Sequence, residues 1–344
     1  MFFQRGMKKQ VYIAYTGGTI GMKKTSKGYA PVYGYLEQQM ALMPEFRDPA
    51  MPDYTIHEYV PLLDSSNMTP DNWLEIAQDI AANYDKYDGF IVLHGTDTMT
   101  YTASALPFML HGLGKPVIIT GSQIPLCNVR NDARENLITA LMIASGFFIP
   151  EVCLYFGTKL LRGCRSVKVS ADGFNAFASP NFPPLGTAGV GIEISKDLIL
   201  KPAPGTKALV VQKFSEPMVG TLRLFPGIPA EIVSNMLQAP LKGLVLGTYG
   251  VGNGPQDKRF IAALKEASDR GVVIVNCTQC LQGRVSMGDY VTGSALAKAG
   301  VISGFDMTTE AALAKLFYLF SAGYSPEGVK REMQKNLRGE LTLP

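Results

Sequence analysis

Histidine is scarce in this chain of 344 residues. There are three, His57, His94 and His111, and none sits in a ligand-like cluster, so histidine-based catalysis and histidine metal sites lose their usual support. Cysteine is sparse too. Five thiols, Cys127, Cys153, Cys164, Cys277 and Cys280, are too few and odd in number for a disulfide framework in so long a chain, and they fit a reducing compartment. Charge is low at 18%, against about 25% in an average soluble domain, with a net charge of only +3. That bias is too slight for the phosphate attraction of a nucleic-acid or anionic-membrane binder.

Long hydrophobic runs are also missing. The stretch from Leu137 to Phe156 is broken by Pro150 and Glu151 and falls short of the roughly 20 uninterrupted residues that a bilayer span needs. The opening segment carries Arg5, Lys8 and Lys9, but its apolar run from Val11 to Tyr15 is far too short for a signal-peptide core. A cytoplasmic protein without a transmembrane segment is therefore expected. No G-x-S-x-G elbow, GxxxxGK[ST] loop, G-x-G-x-x-G fingerprint or H-E-x-x-H is present, which removes several common enzyme classes. The single C-x-x-C, Cys277 to Cys280, lacks the second pair of a zinc site and reads as two buried structural thiols.

What is present is a core. Apolar residues make up 47% of the chain, and about 150 residues per domain gives roughly two domains. Short β-branched and aromatic runs, Val11–Tyr15, Phe90–His94, Val117–Thr120, Val152–Phe156, Leu244–Leu246 and Val272–Val275, alternate with helical patterns. This is the signature of βαβ units and a largely parallel sheet. Thr69 and Pro70 open a helix whose apolar face is Trp73, Ile76, Ala77, Ile80 and Tyr84. Ser325 and Pro326 open another, and Gly271 closes one running through Phe260, Leu264 and Ala267. Between Pro180 and Gly205 five prolines and several glycines suit a connector. The expected fold is thus α/β with two doubly wound domains. A larger one with a mostly parallel sheet spans 1–190, a linker covers 191–212, and a smaller one spans 213–344.

Two loops carry chemistry. The first strand ends in Thr16-Gly17-Gly18-Thr19, and Phe90–His94 is followed by Gly95-Thr96-Asp97-Thr98. Each reads, by itself, as an ordinary turn or N-cap. If both strands lie near the switch point of the sheet, however, Thr19, Thr96 and Asp97 converge on one cleft without any histidine. A threonine hydroxyl attacks poorly unless a base takes its proton and a donor holds the oxyanion. The residues alone do not identify that base. Lys168 lies in a polar segment, and a lysine partly desolvated in a cleft can accept a proton, although an exposed solubilising lysine is the ordinary alternative.

The motifs YTGGTI, GYAP, LLDSSNMTP, LHGTDTMTYTASAL, TGSQIP, RSVKVSADGFNAFASPN and Thr248-Tyr249-Gly250-Val251-Gly252-Asn253 together resemble the asparaginase/glutaminase family, most closely its bacterial cytosolic type I members. The likeness runs over nearly the whole chain, and TGGTI with HGTDT in that order is highly specific. It implies hydrolysis of L-asparagine to L-aspartate and ammonia, with neither metal nor organic cofactor. Thr19 would attack the side-chain amide, with Thr96, Asp97 and Lys168 as a proton-handling and positioning group. Tyr29, on a loop that closes over the site, would help to activate Thr19. Asp97 would hold the substrate ammonium. Asp64, Ser65 and Ser66 would hold its carboxylate, with Gly95 and Thr96 lining the same cleft and the Thr96 N–H facing the oxyanion. The likeness also implies a homodimer at least, paired into a homotetramer. Relatives regulated by their own substrate carry an arginine where this chain has Gly247. Glutaminase or tRNA-linked amidotransferase activity, and a non-catalytic amino-acid-binding protein, stand as alternatives. The compact ends, without an added nucleic-acid-binding domain, speak against the tRNA version.

Overall fold

The computed structural model describes residues 8–26, 28–202, 208–215, 218–288 and 291–343. Two compact units are present, one running to residue 179 and taking in 183–211, the other made of 180–182 and 212–344. Both are α/β. The segment read as a linker, 191–212, carries strands Ile192–Ile194 and Val210–Val211, and both belong to the first unit.

In the first unit β1 (Gln10–Gly17) is buried along nearly its whole length. A parallel strand covered on both faces reads as a continuous apolar run, and Val11 to Tyr15 is such a run. The hairpin of β2 (Met22–Thr25) and β3 (Gly28–Pro31) follows, then α1 (Tyr35–Leu42), and the edge strand β4 (Asp53–Leu63) pairs parallel to β1. After α2 (Pro70–Asn83) the chain crosses to the other side of β1 and forms β5 (Gly89–Leu93). Strands Val117–Thr120 and Val152–Phe156 continue the parallel set outward from β5. Lys159–Arg162, Gly186–Ala188 and Ile192–Ile194 complete an eight-stranded sheet in antiparallel fashion.

Helix α2 buries Trp73, Ile76, Ala77 and Ile80, as its periodicity predicts. Its start is a capping box at the expected Thr69, in which the Thr69 side chain meets the backbone of Asn72 and the Thr69 N–H donates to Asn72 Oδ1 at 2.9 Å. Strand β4 is absent from the sequence reading because Asp53, His57, Glu58 and Pro61 interrupt any apolar run. It is an edge strand with one face exposed, the place where charge and proline are tolerated.

The second unit has a four-stranded parallel sheet in the order Val219–Arg223, Gly243–Thr248, Val273–Thr278, Ile302–Ser303. Side chains alternate across it. Leu244, Leu246 and Ile274 pack with Phe260, Leu264 and Ala267 of helix Lys258–Asp269, while Val245, Val273 and Val275 pack with Leu316, Leu319 and Val329 from helices Thr309–Ser321 and Pro326–Met333. Apolar cores on both faces make it doubly wound. The five cysteines are free thiols; Cys277 is buried but Cys280 is exposed, which corrects the reading of that pair as two buried thiols. Cys280 lies past the end of its strand, beyond the sheet that covers Cys277. No helix among the described residues is long and apolar enough to cross a membrane.

Candidate active site

Strand order builds the site. The chain leaves β1 toward β4 on one side and leaves β5 toward Val117–Thr120 on the other, so the direction of winding reverses between β1 and β5. Ligands of open α/β sheets bind outside the carboxyl ends of strands at such a reversal. Four loops emerge at that edge from four adjacent parallel strands: Thr19 follows β1, Asp64 to Ser66 follow β4, Gly95 to Thr98 follow β5, and Ser122 and Gln123 follow Val117–Thr120.

Two glycines let three of these loops touch. Gly18 has φ 89°, a conformation that costs other residues, and a Cβ there would lie 2.6 Å from both N and Cα of Gly95. A Cβ on Gly95 would overlap the Ser65 hydroxyl and lie 2.8 Å from Ser65 Cβ. The Thr98 hydroxyl then donates to the Ser65 carbonyl at 2.6 Å, tying the same two loops again. Thr19 and Thr96 therefore flank a backbone-to-backbone contact.

Thr19 opens a short 3-10 turn, Thr19–Gly21, and is partly exposed. Its hydroxyl makes no hydrogen bond to a described residue. Thr96 is 8% exposed. Its hydroxyl accepts from Lys168 Nζ at 3.1 Å, and the same ammonium reaches Asp97 Oδ1 at 2.8 Å. Lys168 sits in a two-residue ladder with Phe177 and Ala178, and its side chain is 20% exposed while that of Asp97 is 66% exposed. An ion pair so open to solvent adds at most about 1 kcal/mol to stability. What it fixes is geometry: the lysine bridges the two loop residues that the sequence nominates beside it.

Gln123 is a residue that sequence reasoning missed. Its Nε2 donates to the carbonyls of Ala171 and Gly173 at 3.2 and 3.1 Å, which turns Oε1 toward the Thr96 hydroxyl at 3.3 Å. With its proton given to Gln123, Thr96 presents a lone pair to Lys168. The backbone N–H groups of Gln123 and Ile124 in turn rest on the buried carboxylate of Asp132 at 2.9 to 3.1 Å. The signal was available, since TGSQIP follows a buried strand just as TGGT and HGTDT do.

The other nominated residues are placed as follows. Asp64 Oδ1 accepts from both the N–H and the hydroxyl of Ser66, at 2.9 and 2.8 Å, and these bonds hold its carboxyl below the usual carboxylate range. Ser65 is buried under Gly95. Tyr29 stands apart: it is 46% exposed on β3, and its hydroxyl is bonded to the Asn128 side chain rather than to Thr19. Its neighbour Lys27 lies outside the described residues.

The histidines are elsewhere or inert. His57 packs at the surface against Tyr12 and Tyr59. His94 is fully buried, and desolvation pulls its pKa down to about 4 against the opposing pull of the Gly95 carbonyl. A ring held neutral in this way is no proton carrier near pH 7. Among the described residues no three His, Cys, Asp or Glu side chains gather as a metal site.

Residues 10–200 match the family described as Asparaginase, N-terminal, and residues 218–333 match Glutaminase/Asparaginase C-terminal domain. The chain is 57% identical to L-asparaginase 1 of Escherichia coli K12 over 336 residues, covering 97% of this chain and 98% of that protein. It is 48% identical to the 60 kDa lysophospholipase of Mus musculus, covering 98% of this chain but 64% of that longer protein. Among solved structures, the crystal structure of L-asparaginase I from Vibrio cholerae superposes with a TM-score of 0.91 at 56% identity, covering 98% of this chain and 100% of that one. From its first strand to its last helix, this chain belongs to the asparaginase family.

Proposed function

We propose that this chain hydrolyses L-asparagine to L-aspartate and ammonia through a threonyl acyl-enzyme. The observation that carries the reading is the pairing of Thr19, whose hydroxyl is unengaged among the described residues, with a Thr96–Lys168–Asp97 cluster across the Gly18–Gly95 contact.

Thr19 Oγ attacks the side-chain amide carbon, and the tetrahedral oxyanion is met by the Thr96 N–H, a donor of the kind that makes such intermediates accessible. The C–N bond breaks as the proton lost by Thr19 reaches the leaving nitrogen, releasing ammonia. Water then attacks the ester, its proton returns to Thr19 Oγ, and aspartate leaves. The Lys168 ammonium, anchored on Asp97, donates to Thr96 Oγ1 and steadies charge as these protons move. Asp97 suits the α-ammonium of the substrate. The Asp64 to Ser66 segment suits the α-carboxylate, with Gly95 leaving room for it. Taking up that carboxylate requires the Ser66 donors to turn from Asp64. Tyr29, on its hairpin, covers the cleft once substrate is bound, exchanging Asn128 for Thr19.

The working unit is a homodimer at minimum, paired into a tetramer, and the setting is the cytoplasm. Ammonia release from L-asparagine and from L-glutamine, compared as kcat/KM, tests the reading. One methylene discriminates by only about 1–3 kcal/mol, or roughly 10- to 200-fold, and the expected preference is for asparagine. Binding without ammonia from either amide would point to the non-catalytic alternative.

A further inference from the structure

Beneath the Thr96 loop lies a buried hydrogen-bonded chain that the proposed mechanism leaves unused. Trp73 Nε1 donates to Thr102 Oγ1 at 3.0 Å, Thr102 Oγ1 contacts His94 Nε2 at 2.8 Å, and His94 Nδ1 contacts the Gly95 carbonyl at 2.7 Å. His94 and Thr102 are 1% and 0% exposed and Trp73 is 8% exposed, so no solvent competes for these bonds.

The direction of the chain is determined. A carbonyl oxygen only accepts, so Nδ1 carries the proton of the neutral ring and Nε2 is the acceptor. Thr102 must then give its hydroxyl proton to Nε2, and its own lone pair takes the indole N–H. Every group is paired in one arrangement only.

This fixes a peptide plane. The Gly95 carbonyl and the Thr96 N–H belong to the same peptide unit, and in a trans peptide they point in opposite directions. With the carbonyl held down against His94, the N–H is turned away from the interior, and it makes no hydrogen bond to any described residue. A donor on a residue only 8% exposed, left without a partner, is what an oxyanion site requires.

We infer that His94, held by Thr102 and Trp73, is the positioning residue that aims the Thr96 N–H at the oxyanion. This rests on the proposed hydrolase reading and adds to it a residue that touches no substrate. The role belongs to the Nδ1 end of the ring; the Nε2 end secures the ring.

Two substitutions separate those ends. An asparagine places an amide nitrogen near the position of Nδ1, and a glutamine places its amide near that of Nε2. His94→Asn keeps a donor for the Gly95 carbonyl and is expected to retain kcat within about threefold, while the emission of Trp73, the single tryptophan, shifts because Thr102 has lost its acceptor. His94→Gln keeps the Thr102 end, so Trp73 emission stays as in the parent. Its kcat is expected to fall about 10- to 100-fold, below the 10²- to 10³-fold cost of deleting an oxyanion donor. KM stays within twofold in both, since the donor acts in the transition state.

Equal kcat losses in the two variants, or an undiminished kcat in His94→Gln, would overturn the inference. So would a KM change that accounts for the loss. Failure of the underlying reading is separately visible, because the parent enzyme would then release no ammonia. In that case the Trp73 emission of the two variants still decides whether the hydrogen-bonded chain exists as described.

Discussion

Among single residues, some carry protons and others only hold their neighbours in place. Replacing Lys168 by Met removes the ammonium that joins Thr96 to Asp97, and steady-state kinetics are expected to show kcat lower by about 10²- to 10⁴-fold, the usual worth of one proton-transfer group. The exposure of Asp97 means that the same change costs little stability. His94 behaves in the opposite way. Burial holds its pKa at about 4 in the folded chain, below the ordinary histidine value of about 6.5, so the unfolded chain binds the proton first. Its contribution to stability is complete above pH 6.5 and is lost as the pH falls toward 4, a span worth roughly 3 kcal/mol. Denaturation followed between pH 7 and pH 4 is expected to show this slope, and His94→Asn, which cannot titrate there, is expected to flatten it.

At the scale of elements, the second unit closes on a buried ion pair. Lys315 of helix Thr309–Ser321 meets Glu340 at 2.6 Å with both side chains fully buried. Lys315 also donates to the carbonyls of Met333 and Lys335, and Glu340 accepts from the N–H groups of Leu337 and Arg338. Helix, following helix and C-terminal segment are thereby fastened at one point. Glu340→Ala leaves a lysine charge stranded in the core and is expected to destabilise the protein by about 3–5 kcal/mol, whereas Lys315→Met with Glu340→Leu recovers most of the loss. Thermal unfolding of the single and double variants checks this.

Elements also set what could be read in advance. Buried parallel strands such as Val117–Thr120 and Val152–Phe156 are apolar runs with turn residues at each end, and their limits match the sequence reading. Strand β4 and the short strands from Lys159 to Ile194 were hidden. Edge strand β4 keeps one face in water, so its residues are too mixed for a run to stand out, and the others are too short, the buried Lys159–Arg162 having a charged residue at each end. In the site, Thr96, Asp97 and Lys168 come together as the motifs suggest. TGSQIP after a buried strand marks the place of Gln123 but not its role, because hydrogen bonds to the distant carbonyls of Ala171 and Gly173 leave no local spacing, and the hold of Asp132 on backbone N–H groups leaves none either.

For the whole molecule, Gly247 bears on regulation. It lies within strand Gly243–Thr248, and a side chain there would find ordinary contacts, 3.5 Å from Arg223 Cα and 3.6 Å from Gln279 Cγ. Packing does not demand glycine, and if regulated relatives hold an effector carboxylate with an arginine at this position, this chain lacks the guanidinium for it. Initial rates across asparagine concentrations are expected to follow a hyperbola; a sigmoid would mean that an effector site persists without the arginine.

Whether the Thr19 hydroxyl is the attacking group is decided by measuring ammonia release from L-asparagine by Thr19→Ala beside the parent protein. No turnover above background is expected from a variant whose circular dichroism and Trp73 emission match the parent. A folded Thr19→Ala that turns over asparagine at the parent rate would contradict that role.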